Sequence, residues 1–253
     1  MTNAVILSAG QGKRLSPLTD ARPKCLVPIA GRPILEWQLR ALAAAGVDEI
    51  VVVTGFCADA VEAMLMTTSV PAEVRTVYNP FYSVADNIGS CWAAKDLIGP
   101  DTLLLNGDTL FEPEIVSRVL EQATAPISVT IDSKGMYDSD DMKILREGDR
   151  LTAIGKTLEL PVDGEAIGMI RFQGDGGKRF VAAMRSALND QATLKRWYLS
   201  IIDELAREGG VGVVSIEGLT WSEIDFPRDL PIAESKVARY LGAPETAAMS
   251  SAM

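Results

Sequence analysis

The chain contains no histidine among its 253 residues. That removes the side chain that most often acts as general base near neutral pH, and with it any Ser-His-Asp triad. It also removes every Cys/His metal site. The three cysteines, Cys25, Cys57 and Cys91, form no CxxC pair and read as reduced cytosolic thiols. No apolar run reaches the ~18–20 residues of a membrane span. No signal peptide precedes the first strand, and the expected location is cytoplasmic. Cations are the minority, 24 Lys and Arg against 34 Asp and Glu, for a net charge of −10. Such a surface excludes nonspecific nucleic-acid binding, which needs a basic face. Any phosphate affinity must come from a few placed cations. Chemistry is left to carboxylates, Lys, Arg and a metal.

What is abundant is Ala, Val, Ile and Leu, enough for a sizeable core. Apolar runs of strand length alternate with helical patterns. Strands are expected at Ala4–Ser8, Glu49–Thr54, Glu73–Tyr78 and Thr102–Leu105. Helices are expected from Ile34 to Ala45 (stopped by Gly46), over Ala58–Met66 and Asn87–Leu97, and from Pro113, which suits a first turn. This βαβ alternation predicts a Rossmann-like α/β fold, a mostly parallel mixed sheet with helices on both faces. After about residue 126 the pattern changes. Ile127–Ile131, Met142–Leu145, Leu151–Ile154 and Ala166–Phe172 read as short strands with little helix between them. Helices follow at Gly177–Leu188 and Leu194–Arg207, strands at Val211–Ile216 and Trp221–Ile224, and a closing helix at Leu230–Tyr240. Without repeats or linkers, a single domain over 1–241 is expected, with a nucleotide-binding part at 1–126 and an acceptor-binding part at 127–241. The segment 242–253 reads as a loose tail.

The first strand breaks into Ser8-Ala9-Gly10-Gln11-Gly12-Lys13-Arg14-Leu15, and Pro23-Lys24-Cys25-Leu26-Val27-Pro28 follows before Gly31-Arg32-Pro33-Ile34-Leu35. A glycine-rich loop with cations at the carboxyl end of a strand is where open α/β sheets bind ligands, and its exposed N–H groups suit phosphates. It lacks the third glycine of the dinucleotide fingerprint, and it is no Walker A loop because Arg14 follows Gly12-Lys13. Pro23 fixes φ beside Lys24, so this lysine sits on restrained backbone. Asp108 follows an apolar strand and Asn106-Gly107. There a carboxylate can enter the crevice as a Mg²⁺ ligand, or simply sit in a turn. In Trp221-Ser222-Glu223-Ile224-Asp225, period-2 alternation puts Glu223 and Asp225 on one face.

Gly10 to Leu35 resembles the signature of the sugar-nucleotidyltransferase family, which includes glucose-1-phosphate thymidylyltransferases and the cytidylyltransferases for phosphocholine. The resemblance implies a nucleotide-binding surface of Leu7, Ala9, Gly10, Gly12, Lys13, Arg14, Gly55, Asn87, Ser90 and Asp108. It implies Lys13 and Arg14 on the leaving phosphates, Lys24 at the reacting centre, and Mg²⁺ held by Asp108 and Asp225, with Glu223 a weaker candidate. Asn79–Ser90 resembles the Asn-rich, Ser-containing loop of the phosphocholine branch. In Tyr137-Asp138-Ser139-Asp140-Asp141-Met142-Lys143, Lys143 looks like the lysine that meets the substrate phosphate, which makes Lys24, Arg14 and Lys143 the catalytic set.

The acidic run can meet a cationic head group or stand solvated. Tyr82, Trp92, Tyr137, Trp197, Tyr198 and Trp221 are candidates for cation–π contact with a quaternary ammonium. The expected acceptor surface is Lys143, Asp140, Asp141, Tyr82, Trp221 and Glu223. The implied reaction needs no histidine. A substrate phosphate, already anionic, attacks the α-phosphorus of a nucleoside triphosphate, and pyrophosphate leaves. CTP and phosphocholine are the favoured pair. A sugar-1-phosphate nucleotidyltransferase, or a nucleotide-binding regulator without catalysis, is the alternative. Oligomeric state is left open, a homo-oligomer included.

Overall fold

The computed structural model describes residues 2–240; the expected tail at 242–253 lies outside the described residues. The chain begins with β1 (Asn3–Leu7), followed by a two-residue hairpin, β2 (Pro28–Ile29) and β3 (Arg32–Pro33), and by α1 (Ile34–Ala44). β4 (Glu49–Thr54), α2 (Ala58–Thr67), β5 (Glu73–Tyr78), α3 (Asn87–Ala93), β6 (Asp101–Asn106), β7 (Thr109–Phe111) and α4 (Pro113–Gln122) come next. The remainder is β8 (Ile127–Asp132), β9 (Lys143–Glu147), β10 (Arg150–Gly155), β11 (Gly164–Gln173), α5 (Gly176–Ala187), α6 (Leu199–Glu208), β12 (Val211–Ser215), β13 (Trp221–Glu223) and α7 (Asp229–Tyr240).

Nine strands form one mixed sheet in the order β5-β4-β1-β6-β11-β8-β12-β10-β9. The first four are mutually parallel, as the βαβ alternation predicts. β11 then runs antiparallel to both β6 and β8, while β8 and β12 are parallel again. β10 and β9 close the far edge in antiparallel pairs, and β9 also meets the start of β11.

Side chains alternate across this sheet and build a core on each face. Val5, Val51, Val53 and Leu104 point to the side covered by α3, α5 and α6. Ala4, Ile6, Ile50, Val52, Leu103 and Leu105 point to the side covered by α1, α2 and α4. Each fully buried aliphatic side chain contributes about 1.5–3 kcal/mol. A third, smaller core joins Leu15, Val27, Ile29, Ile34 and Trp37 to Leu110, Ile224, Ala233 and Val237. It pins the glycine-rich loop, the Pro-Lys segment and the start of α7 together, and so sets where Lys24 and Asp225 stand.

Helix ends follow local chemistry. Gly46, at φ +82°, terminates α1, and Pro113 opens α4 between two glutamates. Two expected helices are interrupted. Asn87–Leu97 is α-helical only to Ala93 and ends in a 3₁₀ turn at Lys95–Leu97. Leu194 belongs to a 3₁₀ turn, Gln191–Lys195, and α6 starts at Leu199. The break has a cause: Asp86 N–H donates to the Leu194 carbonyl at 2.7 Å, and Tyr198 N–H donates to Asn87 Oδ1 at 2.9 Å. The backbone between the helices pairs with the start of α3 instead of with itself. Among the described residues no helix is long and apolar enough to cross a membrane.

Candidate active site

The parallel register places the carboxyl ends of β1, β4 and β6 side by side, with Leu7 opposite Val53 and Asn106. The loops that leave them are crowded. A Cβ on Gly55 would lie 2.7 Å from the Ala9 carbonyl oxygen, and one on Gly107 would lie 2.6 Å from that of Leu7. Gly12 has φ +77°, and a Cβ there would stand 2.7 Å from Lys24 Cβ. Glycine is needed because the Lys24 stem passes over it. The Gly12 carbonyl accepts from Leu15 N–H at 2.9 Å and from Thr19 Oγ1 at 2.8 Å, and Leu15 is fully buried.

These loops floor a crevice of about 420 Å³. Lys24 crosses it and donates to Asp108 Oδ2 at 2.7 Å and to Asp225 Oδ1 at 2.5 Å. Arg14 holds the other Asp225 oxygen at 2.7 Å and lies over the Phe226 ring at 4.9 Å. β13 pairs with β7, so Glu223 stands opposite Thr109, and Ile224 N–H donates to the Asp108 carbonyl at 3.1 Å. Asp229 Oδ2 accepts from the N–H groups of Asp225 and Phe226 at 2.8 and 2.7 Å, fixing that turn at the start of α7.

Asp108, Glu223 and Asp225 thereby bring one carboxylate oxygen each within 4.8 Å of one another. Burial alone would depress the Lys24 ammonium, but Asp108 and Asp225 overcome it and hold its pKa above the ordinary lysine value. Burial would raise Asp225, and Lys24 with Arg14 brings it below the usual carboxylate range. Glu223 is pushed up, chiefly by the protein packed around it and then by repulsion from Asp108 and Asp225. Its side chain still meets solvent.

The other half of the crevice comes from residues 127–240. Lys156, just past β10, lies 4.5 Å over the Trp197 ring and 3.4 Å from Asp140 Oδ1. Asp140 also stands 3.6 Å from Arg14. Gly168 in β11, at φ +77°, leaves room for the Asn106 side chain, which a Cβ there would meet at 2.5 Å. A neighbouring cavity of about 340 Å³ continues from Asp140, Glu165, Glu223 and Asp225 to Asp141, Lys134 and Trp221. Lys134 donates to Asp141 and Glu165, both at 2.8 Å, and sits 5.6 Å over Tyr137. Burial pushes Glu165 up to about 7; Lys134 opposes the shift and Asp141 adds to it.

With this geometry in place, comparison with known proteins is decisive: a MobA-like NTP transferase domain matches residues 4–204. The chain belongs to that family. It is 32% identical over 242 residues to the CMP-5'-(3-aminopropyl)phosphonate synthase of Streptomyces rubellomurinus, covering 89% of this chain and 37% of that protein. It is 24% identical over 259 residues to the CTP:phosphoglutamine cytidylyltransferase of Campylobacter jejuni, covering 92% of this chain and all of the other. The chain spans about half the length of two further curated relatives, 51% in each case. The structure of the CTP:phosphocholine cytidylyltransferase from Streptococcus pneumoniae superposes with a TM-score of 0.76 at 20% identity, over 93% of this chain and 99% of that one.

In this MobA-like NTP transferase, Leu7, Ala9, Gly10, Gly12, Arg14, Lys24, Asn87, Ser90 and Asp108 line the crevice, as do Tyr82, Asp140, Glu223 and Asp225. Gly55 packs beneath it, against Ala9 and Tyr82. Asp141 and Trp221 line the neighbouring cavity. Lys13 is exposed and lines neither. Lys143 is not brought into the crevice. It is 5% exposed, and its ammonium donates to the Lys156 carbonyl at 2.9 Å and, more weakly, to that of Asp141 at 3.5 Å.

Lys156, which the sequence reading missed, stands where Lys143 was expected. The acidic run is in part a self-bonded turn, with Asp138 Oδ1 accepting from Asp140 and Asp141 N–H. Most of the candidate cation–π aromatics are already engaged. Lysines cover Tyr137 and Trp197, Tyr198 is fully buried, and Trp221 Nε1 donates to Asp132 Oδ2 at 2.7 Å.

Proposed function

We propose that this chain is a Mg²⁺-dependent cytidylyltransferase. A phosphate or phosphonate oxygen of a small acceptor attacks the α-phosphorus of CTP, and pyrophosphate leaves. The observation that carries the reading is the cation-carboxylate centre, with Lys24 fixed between Asp108 and Asp225 where the glycine-rich loop, β6 and β13 meet. The residues fit a divalent ion: Asp108 Oδ1 is buried without a hydrogen-bond partner, and Glu223 and an Asp225 oxygen lie beside it. Asp108, Asp225 and Glu223 would hold the ion, which when bound neutralises charge on the reacting phosphoryl oxygens.

The chain's own residues do the rest. Arg14 supplies positive charge to the outer phosphates, and the loop bearing Gly10 and Gly12 lets backbone approach them closely. Lys24, held in one place by two carboxylates, presents its ammonium to the α-phosphoryl group. Lys156, braced on Trp197, presents a cation to the acceptor anion from the opposite wall. An anionic acceptor oxygen needs no general base, which suits a chain without histidine.

The acceptor reading is a phosphorylated or phosphono group with a cationic head, phosphocholine or an amine analogue. Carboxylates, rather than open ring faces, dominate the cavity beyond Asp140. The names of the Streptomyces and Streptococcus proteins, which specify an aminoalkyl phosphonate and phosphocholine, support the same class. The test is pyrophosphate release with CTP, UTP, dTTP and ATP, each against phosphocholine, 3-aminopropylphosphonate and glucose-1-phosphate. CTP with a cationic acceptor is expected to exceed CTP with glucose-1-phosphate by about tenfold or more, since several carboxylates line the cavity beyond Asp140 and each ion pair contributes up to about 1 kcal/mol. Equal or better use of the sugar phosphate would move the chain to the sugar-nucleotidyltransferase reading. No pyrophosphate from any pair would leave a binding protein.

A further inference from the structure

Behind the active-site wall lies a second cavity of about 420 Å³, within the range of small-molecule sites. Phe81, Trp92, Leu188 and Leu194 line it together with Arg185 and Gln191. Phe81 is 49% exposed. No carboxylate lines it, although the whole chain carries a net charge of −10. Two cations flank Trp92 instead: Lys95 at 5.3 Å and Arg185 at 6.0 Å from the ring centroid. Among the described residues the Arg185 guanidinium meets that ring and no carboxylate partner. An apolar slot lined by one guanidinium and no carboxylate is complementary to a flat apolar body bearing one negative group.

Residues of one segment, Asn79 to Ser90, line both cavities. Asn79, Asp86 and Asn87 face the active-site crevice, while Phe81, Gly89 and Leu194 face the second cavity. Hydrogen bonds tie the two linings directly. Phe81 N–H donates to Asn79 Oδ1 at 2.9 Å, and Asp86 N–H donates to the Leu194 carbonyl at 2.7 Å. Gly89 leaves no slack, since a Cβ there would lie 2.6 Å from Ala85 Cβ. A ligand that moves Phe81 or Leu194 therefore moves residues of the crevice wall.

We infer that this cavity is a second binding site, for a small aromatic or similarly flat organic anion, and that its occupancy is coupled to nucleotide affinity in the crevice. The coupling rests on the cytidylyltransferase reading; the site itself does not. The test uses the full chain and 8-anilinonaphthalene-1-sulfonate, which carries both a ring system and one negative group. Its fluorescence should rise saturably at one site. Arg185→Glu should weaken that binding by about tenfold or more, and Arg185→Lys by much less, with circular dichroism confirming the fold; Arg185→Gln serves if the reversal does not fold. CTP affinity measured by calorimetry should change about fivefold when the naphthalene sulfonate is saturating, and the reciprocal change should appear in the dye titration. Dye binding that ignores Arg185→Glu, or that CTP abolishes by simple competition, overturns the proposal, as does a CTP affinity indifferent to bound dye. Failure of the wild-type chain to bind CTP at all would count against the cytidylyltransferase reading, and the Arg185 variants would still decide the site.

Discussion

Residues 2–126 and 127–240 build opposite walls of one crevice by different means. In the first part, β1, β4 and β6 are parallel neighbours, so their carboxyl ends and the loops that follow share one edge of the sheet. One continuous stretch, Leu7 to Lys24, then supplies much of the wall. In the second part β11 runs antiparallel between β6 and β8. The wall there is collected from separated places: Asp140 before β9, Lys156 after β10, Glu165 and Gly168 in β11, Trp197 before α6, and Glu223 and Asp225 around β13. A parallel unit writes its site in a loop that can be read along the chain. An antiparallel one writes it across registers.

The sharpest way to break that contrast is at the point where the two parts touch. Lys24 comes from the first and Asp225 from the second, joined at 2.5 Å. On the proposed chemistry Asp225→Ala and Lys24→Ala should each lower kcat by about 10²-fold or more, the cost of losing one preorganised electrostatic contact at a reacting phosphoryl group. Circular dichroism should show the fold retained, since the third core packs without either side chain. The double variant should cost little more than the worse single one, because residues that act as a unit are not additive. Near wild-type pyrophosphate release from either single variant would mean that the centre is structural.

A second, smaller effect separates two lysines. Lys156→Ala should lower kcat/KM for the acceptor by about tenfold, leaving KM for CTP near its original value, as expected for a lost charge-assisted contact. Lys143→Met should act differently. Its ammonium is buried on two backbone carbonyls, so removal leaves them unpaired, costing about 1–3 kcal/mol of stability and lowering the melting temperature rather than the specific activity of folded enzyme. If Lys143→Met instead impairs acceptor use selectively, the crevice reorganises on binding and the sequence expectation stands.

That pair of lysines also marks how far the chain can be read unaided. Strand and helix alternation was legible because each βα unit carries its own apolar period, and Glu49–Thr54 and Glu73–Tyr78 are strands with the expected bounds. The three-carboxylate centre was legible in part: Asp108 follows an apolar strand, and alternation puts Glu223 and Asp225 on one face. The place of Glu223, opposite Thr109, emerged only once β13 paired with β7. Lys156 was not legible, because its position depends on how β10 and β9 end relative to Trp197, a contact between segments about forty residues apart. The break before α6 was hidden for the same reason: Asn87 and Asp86, over a hundred residues upstream, supply its hydrogen bonds.

The smallest effect concerns charge stored inside the antiparallel part. Glu165 is 5% exposed, and burial pushes it up to about 7 although Lys134 stands 2.8 Å away. Its folded value thus lies above the ordinary 4.5. The folded chain holds this proton more tightly than the unfolded one. Glu165 therefore favours folding most below about pH 4.5, and that contribution is lost as pH rises through about 7. Glu165→Gln removes the titration and resembles the protonated form. Its melting temperature should match the wild type near pH 5 and exceed it near pH 8. With an effective interior dielectric well above that of dry protein, the difference is on the order of 1 kcal/mol, or roughly 2–4 °C for a domain of this size. Lys134 keeps its Asp141 partner in the variant, so no unpaired cation is created. A variant less stable than wild type at pH 8 would show that the Lys134–Glu165 pair outweighs burial of the carboxylate. The second part of the chain would then hold its charge as a favourable pair, as the first part does at Lys24 and Asp108.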